Sequence, residues 1–189
     1  MTITTIEKAF TKEQCDYLIS LGKNNWIEGT ETAIYKTPVA IDKRRTIFDR
    51  KCDIFWIHDK DIKNTLNSLY KIANETAQWN FDINGMEELQ LTRYHEGEYY
   101  GWHVDGNGVT PIPNQQNIVR KISVSVILND DYTGGELDFK DADPYYTTGS
   151  VIMFPSYYLH RVKPVKTGTR YSLVAWITGP KFNYSRNSC

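Results

Sequence analysis

The sequence predicts a mostly β, α+β domain: an antiparallel barrel or sandwich with two helices packed on one face. Three observations carry that expectation. Helix-like segments occupy the first half of the chain and β-rich segments the second. The β-rich pieces "ELQLTRY", "KISVSVIL", "GELDF", "SVIMF" and "RYSLVAWIT" are short and bounded by turns. Within "KISVSVIL", Ile122, Val124, Val126 and Leu128 alternate with Lys121, Ser123 and Ser125, the pattern of a half-buried strand.

From the N-terminus, "TKEQCDYLISLG" reads as a helix opened by a capping box of Thr11 and Gln14 and stopped at Gly22. A second helix is expected across "DIKNTLNSLYKIANETAQW", because Ile62, Leu66, Leu69, Ala73 and Ala77 return near one face at helical spacing. Between them, "GTETAIYKTPVAIDKRRTIFDRKCDIFWI" mixes β-formers, turn residues and charges, and predicts short strands around a loop. "DGNGVTPIPNQQN" is a long loop rich in Gly, Pro and Asn, of the kind that is either functional or disordered. No internal repeat or low-complexity tract is visible.

A chain of 189 residues is most simply one domain, 1–189, long enough to bury a core. At 40% hydrophobic and 24% charged residues it has an ordinary globular composition, and a formal charge of -1 exerts no general pull on nucleic acid or anionic membrane. The N-terminus lacks the apolar run of a signal peptide, and no stretch has the length of a membrane span. Cys15, Cys52 and Cys189 are odd in number and widely spaced, matching neither a thiolate metal site nor a disulfide framework, so a reducing cytoplasmic setting is expected.

The stretch "YGWHVDG" raises the question of chemistry. In a strand, residues i and i+2 share a face, so His103 and Asp105 would point inward together while Val104 points away. His160, after the strand "SVIMF", is a third candidate that antiparallel pairing can bring close. Two imidazoles and a carboxylate form the facial triad of non-haem Fe(II) oxygenases. The same donors could hold zinc for hydrolysis, so the triad alone leaves the reaction open. Of the remaining histidines, His58 reads as a strand end or surface turn and His95 as part of a solvated "HEGE" turn.

A second group supports a binding site. Alternation puts Arg170, Ser172, Val174 and Trp176 on one face of "RYSLVAWIT", and Tyr171, Leu173, Ala175 and Ile177 on the other. An arginine opening an otherwise apolar strand is costly to bury without an anion, and a carboxylate suits its bidentate geometry. Ser172 could add a hydroxyl, and Tyr94, ending "LQLTRY", could reach the same ligand.

Together, "LQLTRYHEGEYYGWHVD", "RKISVSVILNDDYTGGELDF" and "GSVIMFPSYYLHRVKPVKTGTRYSLVAWITG" resemble the prolyl 4-hydroxylase-like branch of the 2-oxoglutarate, Fe(II)-dependent dioxygenases over roughly residues 87–179. The first 86 residues resemble it more loosely, in their helices and in "RRT". The resemblance implies a double-stranded β-helix, or jelly-roll, as the catalytic core (87–179), with a supporting region (1–86) and a tail (180–189). His103, Asp105 and His160 match the iron ligands, and Arg170 the residue pairing with the distal carboxylate of 2-oxoglutarate. Tyr94 matches a tyrosine bonded to the cosubstrate, and Trp176 an aromatic on the substrate side.

The implied cofactors are Fe(II), 2-oxoglutarate and O2, with ascorbate as reductant. The implied reaction hydroxylates a prolyl residue of a peptide or protein, with decarboxylation to succinate and CO2. Asp105 stands where related halogenases carry a small residue, which favours hydroxylation. Trp176 stands where nucleic-acid demethylases carry a second arginine, which argues against a nucleic-acid substrate. The loops 28–50 and 106–119 are candidate lids, with Arg44, Arg45 and Trp102 as candidate groove-lining residues. A free amino acid or another side chain as substrate, a non-catalytic jelly-roll binding module and a zinc hydrolase are the alternatives.

Overall fold

The computed structural model describes residues 2–28 and 50–182. In chain order the elements are β1 (Thr4–Ile6), α1 (Lys12–Gly22), β2 (Ile27–Glu28), β3 (Arg50–Lys51), β4 (Asp53–Ile57), α2 (Lys60–Thr76) and β5 (Gly85–Met86). Then follow β6 (Leu89–Tyr94), β7 (Tyr99–His103), β8 (Ile118–Ile127), β9 (Thr133–Gly134), β10 (Leu137–Phe139), β11 (Val151–Pro155), β12 (His160–Val162), β13 (Val165–Thr167) and β14 (Arg170–Pro180).

The helices form where their local sequence directs. The Thr11 hydroxyl accepts from the Gln14 amide, and the Gln14 side chain accepts from the Thr11 amide, closing both ends of the capping box of α1. Gly22 does not act as a left-handed stop. It is the last helical residue, and Lys23 caps the helix in a right-handed conformation. Glycine is needed there for a different reason, since a Cβ would lie 2.3 Å from the Trp26 ring. Helix α2 starts one residue earlier than its apolar pattern suggests, because the Asp59 carboxylate accepts from the amides of Asp61 and Ile62. Its buried residues are Ile62, Leu66 and Ala73.

Among the described residues a larger antiparallel sheet runs β1-β11-β8-β14-β6-β4-β2, with β5 added on β14. A smaller one runs β10-β12-β7-β3, and β13 pairs with β9. This is the double-stranded β-helix architecture. The outer face of the larger sheet carries Leu89, Leu91, Ile122, Val124, Val126, Leu173, Ala175 and Ile177, packed against Cys15 and Leu18 of α1 and Ile62 and Leu66 of α2. The helices therefore cover one sheet, as the order of elements predicts.

Strand β8 corrects the sequence expectation. It is buried on both faces, not half-buried: Lys121, Ser123 and Ser125 are all shielded from water. The second face points not to solvent but into the space between the sheets, so its serines are interior polar groups. Cys15 and Cys52 are buried free thiols. Among the described residues no helix is long and apolar enough to cross a membrane. Residues 29–49, which include Arg44 and Arg45 and nearly all of the expected 28–50 lid, lie outside the described residues.

Leu66 has no exposed surface and joins α2 to the sheet. Leu66→Ala is expected to lower the unfolding free energy by about 2–5 kcal/mol through lost burial and a residual void, measured by urea denaturation.

Candidate active site

The inner faces of the two sheets enclose one cavity. Strand alternation supplies its floor: Gln90, Thr92 and Tyr94 from β6, Ser123 and Ser125 from β8, and Arg170, Ser172, Val174 and Trp176 from β14. The facing wall comes from the smaller sheet, with His103 on β7, His160 on β12 and Arg50 on β3.

His103 and His160 are direct cross-strand partners, with ring centroids 4.2 Å apart. Asp105 follows the end of β7, fixed by its amide donating to the Ser156 carbonyl at 2.9 Å. Its Oδ1 lies 3.4 Å from His103 Nε2 and its Oδ2 3.6 Å from His160 Nε2. One ligand atom from each of the three residues falls within 4.8 Å of the others. Val104 between them is exposed, so the inward alternation continues one residue past the strand.

Hydrogen bonds outside the triad set its orientation. His103 Nδ1 meets the Gly101 carbonyl at 2.8 Å, and His160 Nδ1 meets the Tyr158 carbonyl at 2.9 Å. A carbonyl only accepts, so Nδ1 carries the proton in both rings, and Nε2 of the neutral form offers a lone pair to the shared space. Ser123 donates to Asp105 Oδ2 at 2.6 Å, and the Tyr100 ring stacks on His103 with centroids 3.5 Å apart. Burial, and then the neighbouring His103, push His160 down to about 4. Burial opposes the charge on Asp105, but His160, His103 and Arg120 outweigh it and hold the carboxyl well below the usual carboxylate range. A carboxylate beside two neutral imidazole lone pairs is a donor set for a divalent cation.

At the other end of the floor, Arg170 is 1% exposed and pairs across strands with Tyr94. Its Nη1 donates to Ser172 Oγ at 2.8 Å, its carbon lies 5.5 Å from the Tyr94 ring centroid, and its Nε has no hydrogen-bond partner among the described residues. Ser172 is also 2.6 Å from the Thr92 hydroxyl, so within the protein it steadies Arg170. Gly135, with a positive φ of 64°, lets the chain pass this guanidinium, because a Cβ would stand 3.1 Å from Arg170 Cδ. Burial pushes the Tyr94 phenol up, so it stays protonated as a donor.

Trp176 lines the cavity with the Arg120 guanidinium 3.7 Å over its ring, and its Nε1 has no partner among the described residues. Trp102 does not line it. Period-two alternation sends Trp102 to the opposite side of β7 from His103, where it is 42% exposed under Arg161. His58 is exposed and bonded to Glu88, and His95 is exposed beside Thr169. Sequence reasoning missed Arg50, Trp56, Gln90, Thr92, Tyr100, Arg120, Ser123 and Ser125. The serines were legible as the polar half of the β8 alternation, but that half was assigned to solvent. Arg50 and Arg120 carry no local signal, because only pairing between distant strands directs them inward.

A family model described as the 2OG-Fe(II) oxygenase superfamily matches residues 89–178. A PKHD-type hydroxylase of Synechococcus sp. (strain CC9902) is 34% identical over 179 residues, covering 86% of this chain and 77% of the relative. Another, from Pseudoalteromonas atlantica, is 28% identical over 184 residues, covering 93% and 77%. Among solved structures, a viral collagen prolyl hydroxylase from Paramecium Bursaria Chlorella virus-1, in its 2OG complex, superposes with a TM-score of 0.67. It is 20% identical, over 95% of this chain and 97% of that one, a likeness of fold.

Because Ser123 orients Asp105 without belonging to the triad, Ser123→Ala is expected to weaken Mn(II) binding about tenfold with little change in secondary structure. Calorimetric titration with Mn(II), alongside circular dichroism, checks this.

Proposed function

Because the chain belongs to the 2OG-Fe(II) oxygenase superfamily, we propose that it hydroxylates a prolyl residue of a peptide or protein at the cavity between its two sheets. The observation that carries this reading is the convergence of His103, Asp105 and His160 in the same cavity as a buried Arg170 that pairs with no carboxylate among the described residues. The prolyl substrate draws on its PKHD-type relatives and on the prolyl hydroxylase that shares its fold.

The residues fit the family's cofactors on chemical grounds. The triad offers two imidazole nitrogens and a carboxylate, and the described residues leave the buried donors Arg170 Nε and Trp176 Nε1 without an acceptor. In this reading His103, Asp105 and His160 hold Fe(II), while Arg170 and Tyr94 receive the distal carboxylate of 2-oxoglutarate. When bound, the metal and cosubstrate supply oxygen activation, coupled to decarboxylation of 2-oxoglutarate to succinate and CO2. The remaining work falls to the chain itself. Ser123 holds one carboxylate oxygen of Asp105, and the carbonyls of Gly101 and Tyr158 keep both imidazoles facing inward. Trp176 and Trp56, with ring centroids 6.1 Å apart, offer apolar surface to a pyrrolidine ring. Arg120, fixed over Trp176 by Glu87, offers guanidinium hydrogens to a peptide carbonyl. The same proposal treats residues 1–189 as one catalytic domain, with 1–86 as its support, working in the cytoplasm.

The test is production of succinate from 2-oxoglutarate, dependent on Fe(II), O2 and a proline-containing peptide, with hydroxyproline identified by mass spectrometry. His103→Ala and Asp105→Ala are expected to abolish turnover, and retained iron-dependent activity in either removes the ligand assignment. Arg170→Ala is expected to raise the 2-oxoglutarate KM at least tenfold with a smaller change in kcat, since a charge-assisted bond of about 1.5–3 kcal/mol is lost.

A further inference from the structure

Among the described residues three guanidiniums line the cavity: Arg50, Arg120 and Arg170. Arg120 is matched by Glu87, whose two oxygens accept from its Nε and Nη2 at 2.6 and 2.8 Å. Arg170 is matched, in the reading above, by the distal carboxylate of the cosubstrate. Arg50 has no such partner: among the described residues no carboxylate lies within ion-pair distance of it. Its Nε donates to Cys52 Sγ at 2.9 Å, its Nη2 donates to Gln90 Oε1 at 3.1 Å, and its carbon sits 4.8 Å from the Tyr100 ring centroid.

All three neighbours are neutral. Burial raises the Cys52 thiol above its ordinary range, so it is not a thiolate counter-charge. An amide oxygen and a ring face orient a guanidinium but do not cancel it. A divalent cation in the triad does not help: Asp105 and the near end of a 2-oxo dicarboxylate absorb its two charges. Among the described residues, Arg50 is then the guanidinium of this cavity that metal and cosubstrate leave unmatched.

The register fixes the place of Arg50 in the cavity. The register places Gln90 beside Trp56 on one side and Val174 on the other, while Tyr94, on the same strand, pairs with Arg170. Arg50 thus stands by the Trp56 row of the cavity, and its Tyr100 neighbour stacks on His103.

We propose that Arg50, held by Gln90, is a second carboxylate-binding position of this cavity, distinct from Arg170. The carboxylate has two sources, the metal-side end of the 2-oxo acid or a carboxylate of the substrate itself, and the charge balance favours the substrate. The inference rests on the oxygenase reading, and two arms of one experiment separate the sources.

In the first arm, anaerobic Mn(II)-loaded wild type, Arg50→Gln and Arg50→Lys are titrated calorimetrically with 2-oxoglutarate and with pyruvate, which lacks the carboxylate assigned to Arg170. In the second, the same proteins are titrated, with 2-oxoglutarate present, with a peptide ending in proline and with its C-terminal amide. If the oxo acid is the source, Arg50→Gln weakens both oxo acids about tenfold or more, and Arg50→Lys restores most of it. If the substrate is the source, oxo-acid affinity stays within about twofold. Wild type then prefers the free carboxylate over the amide by about tenfold, and Arg50→Gln loses that preference. The proposal is overturned if Arg50→Gln, with an unchanged Tm, changes neither. It is also overturned if the variant weakens only Mn(II), because Arg50 then acts through Tyr100 on His103. Wild type that binds neither Mn(II) nor 2-oxoglutarate removes the oxygenase reading itself, and this inference with it.

Discussion

The carboxylate of Asp105 sits almost out of reach of water, 3.4 Å and 3.6 Å from the Nε2 atoms of two histidines, and an anion in that position has to be balanced. Protonated histidines are one means, but burial and mutual repulsion work against two charged rings with centroids 4.2 Å apart. A bound cation is the other, and it requires the opposite protonation state, with both rings neutral and their lone pairs inward. The backbone decides which nitrogen of each ring faces that space. Each Nδ1 meets a carbonyl two residues earlier in the chain, Gly101 for His103 and Tyr158 for His160. Local chain geometry therefore aims both rings, while the Ser123 hydroxyl from the opposite sheet aims the acid.

That arrangement depends on a sheet whose two faces do different work. Strands β6, β8 and β14 are buried on both sides. Their outer residues, such as Leu91, Val124 and Leu173, join the helices in a dry core. Their inner residues, such as Thr92, Ser123 and Ser172, face the cavity. Apolar burial on one side stiffens the strands and so fixes polar groups on the other to within the tolerance that a metal and a dicarboxylate demand. The helices have no residue in the cavity, yet by covering the outer face they hold its floor.

The N-terminal region also reaches the cavity. Strand β4 extends the floor with Trp56, and β3 brings Arg50 to the facing wall. The cavity is thus closed on one flank by residues 50–57 and completed by the region after 87. Its charge is partitioned by position: Arg120 with Glu87 beside Trp176, Arg170 beside Tyr94, and Arg50 between Tyr100 and Gln90.

Much of this was legible in the order of residues. The capping box of α1, the buried stripe of α2, the alternation in β14 and the inward pair His103 and Asp105 all follow from periods of 3.6 and 2, which are properties of the local backbone. The motif resemblance singled out His160 and Arg170 as well, and the fold brings both to the same cavity as His103 and Asp105. Local pattern failed where the answer depended on what lies opposite. The polar half of β8 looks the same in sequence whether it meets water or a second sheet, and Gly22 looks the same whether it turns the chain or makes room for Trp26. Trp102 was adjacent to the site in sequence and faces away from it in space. The alternating faces of each strand were therefore set by the chain itself. Which face became the site, and which arginines reached it, was decided only when β3, β7 and β12 closed over the floor, because burial and charge pairing are properties of contacts between distant segments.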